Sequence, residues 1–556
     1  MKSKFSIFKN LNIKNSIKIK NFKLKILLIL LVIGGVLRFY NLNWGAPFYF
    51  HPDERNIASL ISSLNSANLD FLWKGTFVYG TLVSNVLFII KNSIAPFLVY
   101  FQLQDAFVQS IILLRILAAI SSVLTIIVVF LICYKRLKLE KTFLATALTT
   151  FSVGLIQAAH FGVYESVLTL IYSFLLFLLL IFWKTKKIKY IYLATLVVSL
   201  ATAIKINSII LLIIPLGLLA IQSHREKIKK TKTLLIFLSL ILIFGLVTIV
   251  ASPYYLTSDF KNMFNYESSL LTGSLPVFYT GAFFNTTPVL YQFTHILPFL
   301  INPLLTIGLI ISLPYVLYRG IKKKNILYLL ILTFFLVLFL PNAFLFTKWT
   351  RYLVPMLPFV YIIIAIAIVD FFDSLPKKIH GLKSGVLVII IFTSVVFAFA
   401  YTRTALRVDT RIETSKWAFQ NIPPNAKILS EVYDLGITPF NSYFPEITLF
   451  NFYELENDPS KKPELESLIE RADYIILPSQ RILKSRLQNK KTFPNGYEFY
   501  KKLFNDSLSF KKIYETPCDV FCKITYLGNS VFNIEETANV FDRPTLFIFE
   551  KNKENF

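Results

Sequence analysis

The chain has 556 residues, of which 55% are hydrophobic and 16% charged, where soluble domains average about 25% charged residues. That contrast excludes an ordinary soluble enzyme, a disordered chain and a collagen-like one. The formal charge is +26, from 58 basic and 32 acidic residues, so the position of the lysines decides between nucleic acid and membrane as its cause. Three cysteines are too few for a disulfide scaffold or a zinc cluster.

A helical membrane span needs roughly 20 apolar residues. Residues 1–25 hold eight lysines and no acid, which predicts a cytoplasmic N-terminus. The first apolar run, 26–43, then crosses outward. It ends in Arg38-Phe39-Tyr40-Asn41, without the small-residue site of a cleaved signal. Further runs at 111–134, 142–160, 166–183, 190–206, 207–222, 233–251, 293–318, 325–341, 353–369 and 384–402 bring the predicted spans to eleven. Five basic clusters fall between successive pairs of crossings: Lys135-Arg136-Leu137-Lys138, Lys184-Thr185-Lys186-Lys187, Arg225 to Lys232, Arg319 to Lys324, and Lys377-Lys378 with Lys383. All five are expected on the cytoplasmic face. The basic excess therefore belongs to the bilayer, and no nucleic-acid partner is implied. Residues 78–101 are apolar but interrupted by Lys91. A single crossing there would invert every later loop, so a helix lying in or dipping into the outer leaflet is expected.

An odd number of spans leaves the C-terminus outside, with long outside loops at 44–110 and 252–292. From 403 to 556 charges, Pro and Asn return, and about 150 residues suffice for one core. Residues 411–421 have helical periodicity and stop at Pro423-Pro424. Short apolar runs at 426–429, 447–450, 474–477 and 546–549 read as strands, and 463–471 and 481–487 as helices. The predicted fold is an all-α polytopic membrane domain at 26–402 carrying a small α/β extracytoplasmic domain at 403–556. Outside, Cys518 and Cys522 form a disulfide or remain a pair of free thiols. Cys133, at the cytoplasmic end of a span, reads as packing.

Ionisable groups at a membrane edge are costly and mark candidate sites. His51-Pro52-Asp53-Glu54 is either a helix start, with carboxylates at its positive end, or the place of a general base. Adjacent on a helix, Asp53 and Glu54 point about 100° apart, so only one easily meets a given proton. His160 and Glu165 flank the next outside turn, where Glu165 is a helix cap or a second acid in the same cavity. Lys205 is a snorkelling anchor or a ligand of a lipid phosphate. Arg351 and Arg115 are interfacial anchors or forks for phosphate oxygens. No Walker loop or Rossmann glycine fingerprint is present.

In order along the chain, Asn43-Trp44-Gly45-x-Pro47 with His51-Pro52-Asp53-Glu54, Phe77 to Leu82, His160 to Glu165, Ala203 to Asn207 and Arg351-Tyr352-Leu353-Val354-Pro355 resemble the lipid-carrier-dependent glycosyltransferases of the GT-C superfamily. The protein O-mannosyltransferase-like and aminoarabinose-transferase-like group is nearest. In the tail, Asp409-Thr410-Arg411 and Phe541-Asp542-Arg543-Pro544 resemble pieces of bacterial members. Gly80 stands where the family has proline, and Glu165 where Asp is commoner. The resemblance implies a polyprenyl-phosphate sugar donor and a protein, lipid or glycan acceptor, at the outer face of a bacterial plasma membrane. Under it Asp53 is the general base beside Glu54, and Lys205, Arg351 and Arg115 hold the donor phosphate. His51, Tyr79, His160 and Glu165 contact substrate. No cofactor is implied, and a divalent metal stays open. The rival class is a transporter or lipid flippase that makes no bond. It would favour internal repeats and mid-span charges, neither of which the sequence displays.

Overall fold

The computed structural model describes residues 24–100, 103–275, 277–376, 380–432, 443–528 and 534–552. The N-terminal lysines through Lys23, and Lys377 and Lys378 of the fifth basic cluster, lie outside the described residues. Among those described, eight helices are long and apolar enough to cross a membrane, or nine if one bent pair counts as a single span. Every predicted span has a helical counterpart. Lys189–Thr202 falls short of a full crossing by length, and the first is described over 24–39. The apolar run 78–101 divides into Leu82–Ser93 and Ala95–Tyr100. Twelve residues make a helix roughly 18 Å long, well short of a bilayer core, and Lys91 donates to the Ile61 carbonyl at 3.0 Å.

Two span boundaries differ from expectation, each for a backbone reason. Residues 293–318 do not form one helix. Asn302, at φ 74°, caps a new start at Pro303 by accepting from the Leu305 N–H at 2.9 Å. Residues 142–160 form Leu139–Thr150 and Val153–His160, bent by 42°. Ser152 caps the second half. The carbonyls freed in the first half are met by Arg38, whose guanidinium donates to Thr149 O at 2.9 Å, to Thr150 O at 3.0 Å and to Ser122 Oγ at 2.7 Å. A helix break inside a bilayer requires such partners.

The basic turns gather at one end. Lys141 pairs with Asp370 at 2.5 Å, Lys138 with Asp373 at 2.8 Å, and Lys383 with Asp373 at 2.6 Å. Lys186 pairs with Glu226 at 2.6 Å. Tyr328, packed on Gly320 beside the fourth cluster, donates to Asp370. Helices that finish at this end begin at Glu165 and near Thr350, so those two residues lie at the opposite end.

The tail carries a five-stranded sheet: β1 Ile428–Glu431, β2 Ile447–Phe450, β3 Tyr474–Leu477, β4 Phe510–Glu515 and β5 Phe547–Lys551, in the order β2-β1-β3-β5-β4. β1 runs parallel to β2 and β3, and β5 antiparallel to β3 and β4. Alternation sorts the strands' faces. Leu429, Ile475, Leu477, Phe547 and Phe549 pack one core with Leu465, Ile482 and Phe499, while Ile428, Ile476 and Ile548 face Ala418 and Phe444. Cys518 and Cys522 are bonded, Cys133 is free and buried, and residues beyond the disulfide return to the membrane part, where Tyr526 stacks on Phe299.

Arg38→Leu tests the bent span. It leaves two buried carbonyls unpaired at about 1–3 kcal/mol each, so the thermal unfolding midpoint in detergent is expected to fall. An unchanged midpoint would mean that the bend does not need the guanidinium.

Candidate active site

At the end opposite the basic turns a cavity of about 420 Å³ opens, and it is built from breaks in helices. Pro52–Ser63 begins at His51, with Pro52 in its first turn. Asp53, on that turn, faces the cavity and pairs with Arg351. Arg351 lies in the 3₁₀ turn Thr350–Met356 that precedes a span, held over the rings of Trp349 and Tyr352 at 5.2 and 5.6 Å. Glu165 opens its helix, and its Oε1 accepts from Lys205 Nζ at 3.0 Å. Lys205 is extended (φ −146°, ψ 118°) between two helical segments and lies over Tyr79 and Tyr352 at 5.5 and 4.9 Å. Asp53, Glu165, Lys205, Arg351, Tyr79 and His51 thus share one cavity.

Gly80 fixes where Lys205 stands. Tyr79 and Lys205 form an antiparallel bridge, and the Gly80 N–H donates to Ile204 O at 2.9 Å. A Cβ at position 80 would fall 2.0 Å from the Ala203 carbonyl oxygen. Proline would lack the N–H as well, so the departure from the family pattern has a steric and a hydrogen-bonding reason.

Three expected site residues stand elsewhere. Glu54 turns into the core, as the 100° offset from Asp53 requires, and meets Arg115 in a two-pronged pair at 2.6 and 2.7 Å. Arg115 also donates to Leu42 O and Trp44 O, and the Gly162 N–H donates to Glu54 Oε1 at 2.8 Å. Four of the five guanidinium hydrogens are taken, both side chains are wholly buried, and neither lines the cavity. His160 is buried with its ring nitrogens 2.8 Å from the carbonyl oxygens of Ile156 and Tyr40, again off the cavity. His51 is on the wall, between the rings of Phe161 and Phe541 at 4.4 and 5.0 Å. Burial, with Arg351, Arg115 and Arg411 adding to it, pushes its imidazole well below the usual range, which keeps it neutral.

Residues 98–250 match the model of a family described as dolichyl-phosphate-mannose-protein mannosyltransferase. A search of curated protein sequences finds no match. Among solved structures, the Archaeoglobus fulgidus oligosaccharyltransferase, tethered to an acceptor peptide, aligns with TM-score 0.51 and 12% identity over 96% of this chain and 89% of that one. ArnT from Cupriavidus metallidurans in the apo state gives TM-score 0.45 and 13% identity over 83% and 95%. Its undecaprenyl phosphate complex gives 0.42 and 13% over 85% and 95%. The chain has the fold of a GT-C membrane glycosyltransferase.

The cavity also has walls to which, Phe541 apart, the sequence did not point. Arg481, Glu536, Thr537 and Phe541 come from the tail, and Glu267 and Tyr279 from the 252–292 loop. Burial raises the Glu267 carboxyl, with Lys205 pulling the other way. Among the described residues no three His, Cys, Asp or Glu gather as ligands of one ion. The tail is stitched to the membrane part on both sides of this wall. Glu535 accepts from Thr350 N at 3.0 Å and from the Thr350 hydroxyl, next to Arg351. Asp542 accepts from Gln157 at 2.5 Å and Tyr401 at 3.1 Å. Arg411, paired with Asp409, donates to the carbonyls of Val540 and Phe541.

Burial pushes the Asp542 carboxyl up to about 8, against the opposite pull of Gln157, Tyr401 and Arg411. An unfolded aspartate titrates near pH ~3.9. Between those values the folded chain keeps a proton that the unfolded chain has released. The group therefore favours the fold fully below the lower value, and its contribution is lost as pH rises through the window. Asp542→Asn is expected to flatten the pH dependence of the unfolding midpoint between about pH 5 and 8. A variant that follows the parent's slope would remove Asp542 as its source.

Proposed function

We propose that this chain moves a sugar from a polyprenyl-phosphate donor to an acceptor hydroxyl at the outer face of the membrane. One observation carries the reading: a carboxylate and two cations from separate elements meet in a single cavity at the end away from the basic turns. Those turns mark the cytoplasmic end by the positive-inside rule. The description of the matched family names a dolichyl phosphate sugar donor, which is the donor chemistry this reading takes.

In the resting site Arg351 is paired with Asp53, and Lys205 with Glu165. A donor phosphate competes for both cations. As Arg351 turns to phosphate oxygens, which its planar fork suits, Asp53 is released beside the anomeric carbon. The acceptor oxygen bonds to that carbon, and its proton passes to Asp53. The carbon–oxygen bond to phosphate breaks, and the electron pair leaves with the phosphate, whose charge Arg351 and Lys205 stabilise. Attack opposite the leaving group inverts the anomeric centre. Glu165 orients Lys205, and neutral His51 and Tyr79 contact the sugar. Glu54 and Arg115 are a positioning pair that holds the His51–Asp53 turn against the 160–165 turn, and His160 is packing for the same corner.

Asp53→Asn is expected to lower kcat by roughly 10²–10⁴-fold with the fold intact, read as release of free polyprenyl phosphate by purified protein. Normal turnover would refute Asp53 as base. Arg115→Lys separates the positioning pair from a phosphate ligand. Lysine keeps the charge but lacks the planar fork that meets both Glu54 oxygens and the carbonyls of Leu42 and Trp44 at once, so the yield of folded protein should drop, while the donor KM of what remains should hold. A raised donor KM with normal stability would return Arg115 to the phosphate.

A further inference from the structure

The cavity contains a second polar cluster that the transfer step does not use. Arg481, at the start of the helix Arg481–Gln488, pairs through Nε with Glu536 Oε1 at 2.8 Å, both largely buried. The Arg481 guanidinium lies 5.5 Å from the Phe541 ring, which continues to His51. Tyr279 and Trp349 have ring centroids 6.5 Å apart, and Trp349 carries Arg351 on its face. The cluster therefore adjoins the Asp53–Arg351 pair, where an acceptor hydroxyl has to arrive. It comes entirely from the tail and the 252–292 loop.

The chemistry of this wall is specific. A guanidinium offers only donors and a carboxylate only acceptors. Two neighbouring sugar hydroxyls, each both donor and acceptor, satisfy the two groups at once. Tyr279 and Phe541 line the cavity, and aromatic rings, with their electron-rich faces, suit the polarised C–H bonds of a sugar ring. Peptides are commonly held through their backbone at an open sheet edge, but no residue of β1 to β5 lines the cavity. Its volume of about 420 Å³ sits near the lower end of small-molecule sites, roughly 300–1,000 Å³.

We propose that Arg481, Glu536, Tyr279 and Phe541 form the acceptor subsite and that the acceptor is a carbohydrate hydroxyl. This rests on the transferase reading above and adds the acceptor class to it. The test uses the full chain in lipid nanodiscs with a radiolabelled polyprenyl-phosphate hexose. Short oligosaccharides, Ser/Thr-containing peptides and hydroxyl-bearing phospholipids are offered as separate acceptors. Label is expected in the oligosaccharide. Arg481→Met and, as a milder change, Phe541→Leu should each raise the oligosaccharide KM by roughly tenfold more than the donor KM. Isothermal titration of the oligosaccharide onto donor-free protein should weaken in parallel, and it gives a readout that needs no turnover. Label in peptide or phospholipid with none in oligosaccharide overturns the acceptor class and leaves the transferase reading standing. Unchanged oligosaccharide KM and binding in both variants overturns the subsite. Absence of polyprenyl phosphate release with every acceptor sinks the transferase reading and this subsite with it.

Discussion

The site depends on charges that neutralise one another before substrate arrives. Taking an ion out of water costs several kcal/mol even after relaxation, and the cavity lies at the head of membrane helices. A bare Lys205 or Arg351 there would be expensive. Pairing with Glu165 and Asp53 offsets that cost and holds both cations in place. The same pairing makes the site responsive. A phosphate is the kind of anion that can take an arginine from a carboxylate, because it offers the guanidinium a matching fork. Under the proposed transfer, the pairing that stabilises the cavity gives way to a base and a phosphate clamp as the donor enters.

Ion pairs can stand at these points only because the backbone is broken there. Continuous helices would turn every polar main-chain group inward and leave no place for the cavity. Each break has a named partner for its freed groups. Arg38 serves the bend at Thr150, Asn302 the restart at Pro303, Ile204 O the Gly80 N–H, and Glu535 the turn at Thr350. The last of these is supplied by the tail. A domain some 180 residues further along the chain caps the turn that carries Arg351, so the membrane part and the tail are coupled through the site itself.

Much of this was legible because local rules carry it. Apolar run length gave the spans, lysine spacing gave the common end of the basic turns, and the 100° offset explained why Asp53 and not Glu54 enters the cavity. What escaped was non-local. Arg115 reads from sequence as a membrane-edge cation, and only the fold reveals that Glu54, Leu42 O and Trp44 O occupy it. His160 carries the same lesson, since both ring nitrogens are taken by carbonyls. β4, Phe-Lys-Lys-Ile-Tyr-Glu, was missed because it is an edge strand, and its lysines weaken the apolar signal that marks interior strands. Arg481 and Glu536 sit in ordinary polar segments and become site residues only when the tail folds back.

That return of the tail also bears on electrostatics. Coulomb attraction scales inversely with the local dielectric, so a cavity open to water would weaken the hold on a phosphate that is proposed for Lys205 and Arg351. The segment from Glu535 to Asp542 forms one wall, bonded at its two ends to Thr350 and to Gln157 with Tyr401, and Phe541 presses on His51 between them. Phe541, with its aromatic neighbours, covers this side of the cavity, where the proposed transfer would develop charge. It also keeps His51 neutral, because a second positive charge beside Arg351 would be desolvated as well. The buried Asp542 is the cost of this closure: burial pushes its carboxyl up to about 8, yet it anchors the wall to both the bent span and the last one.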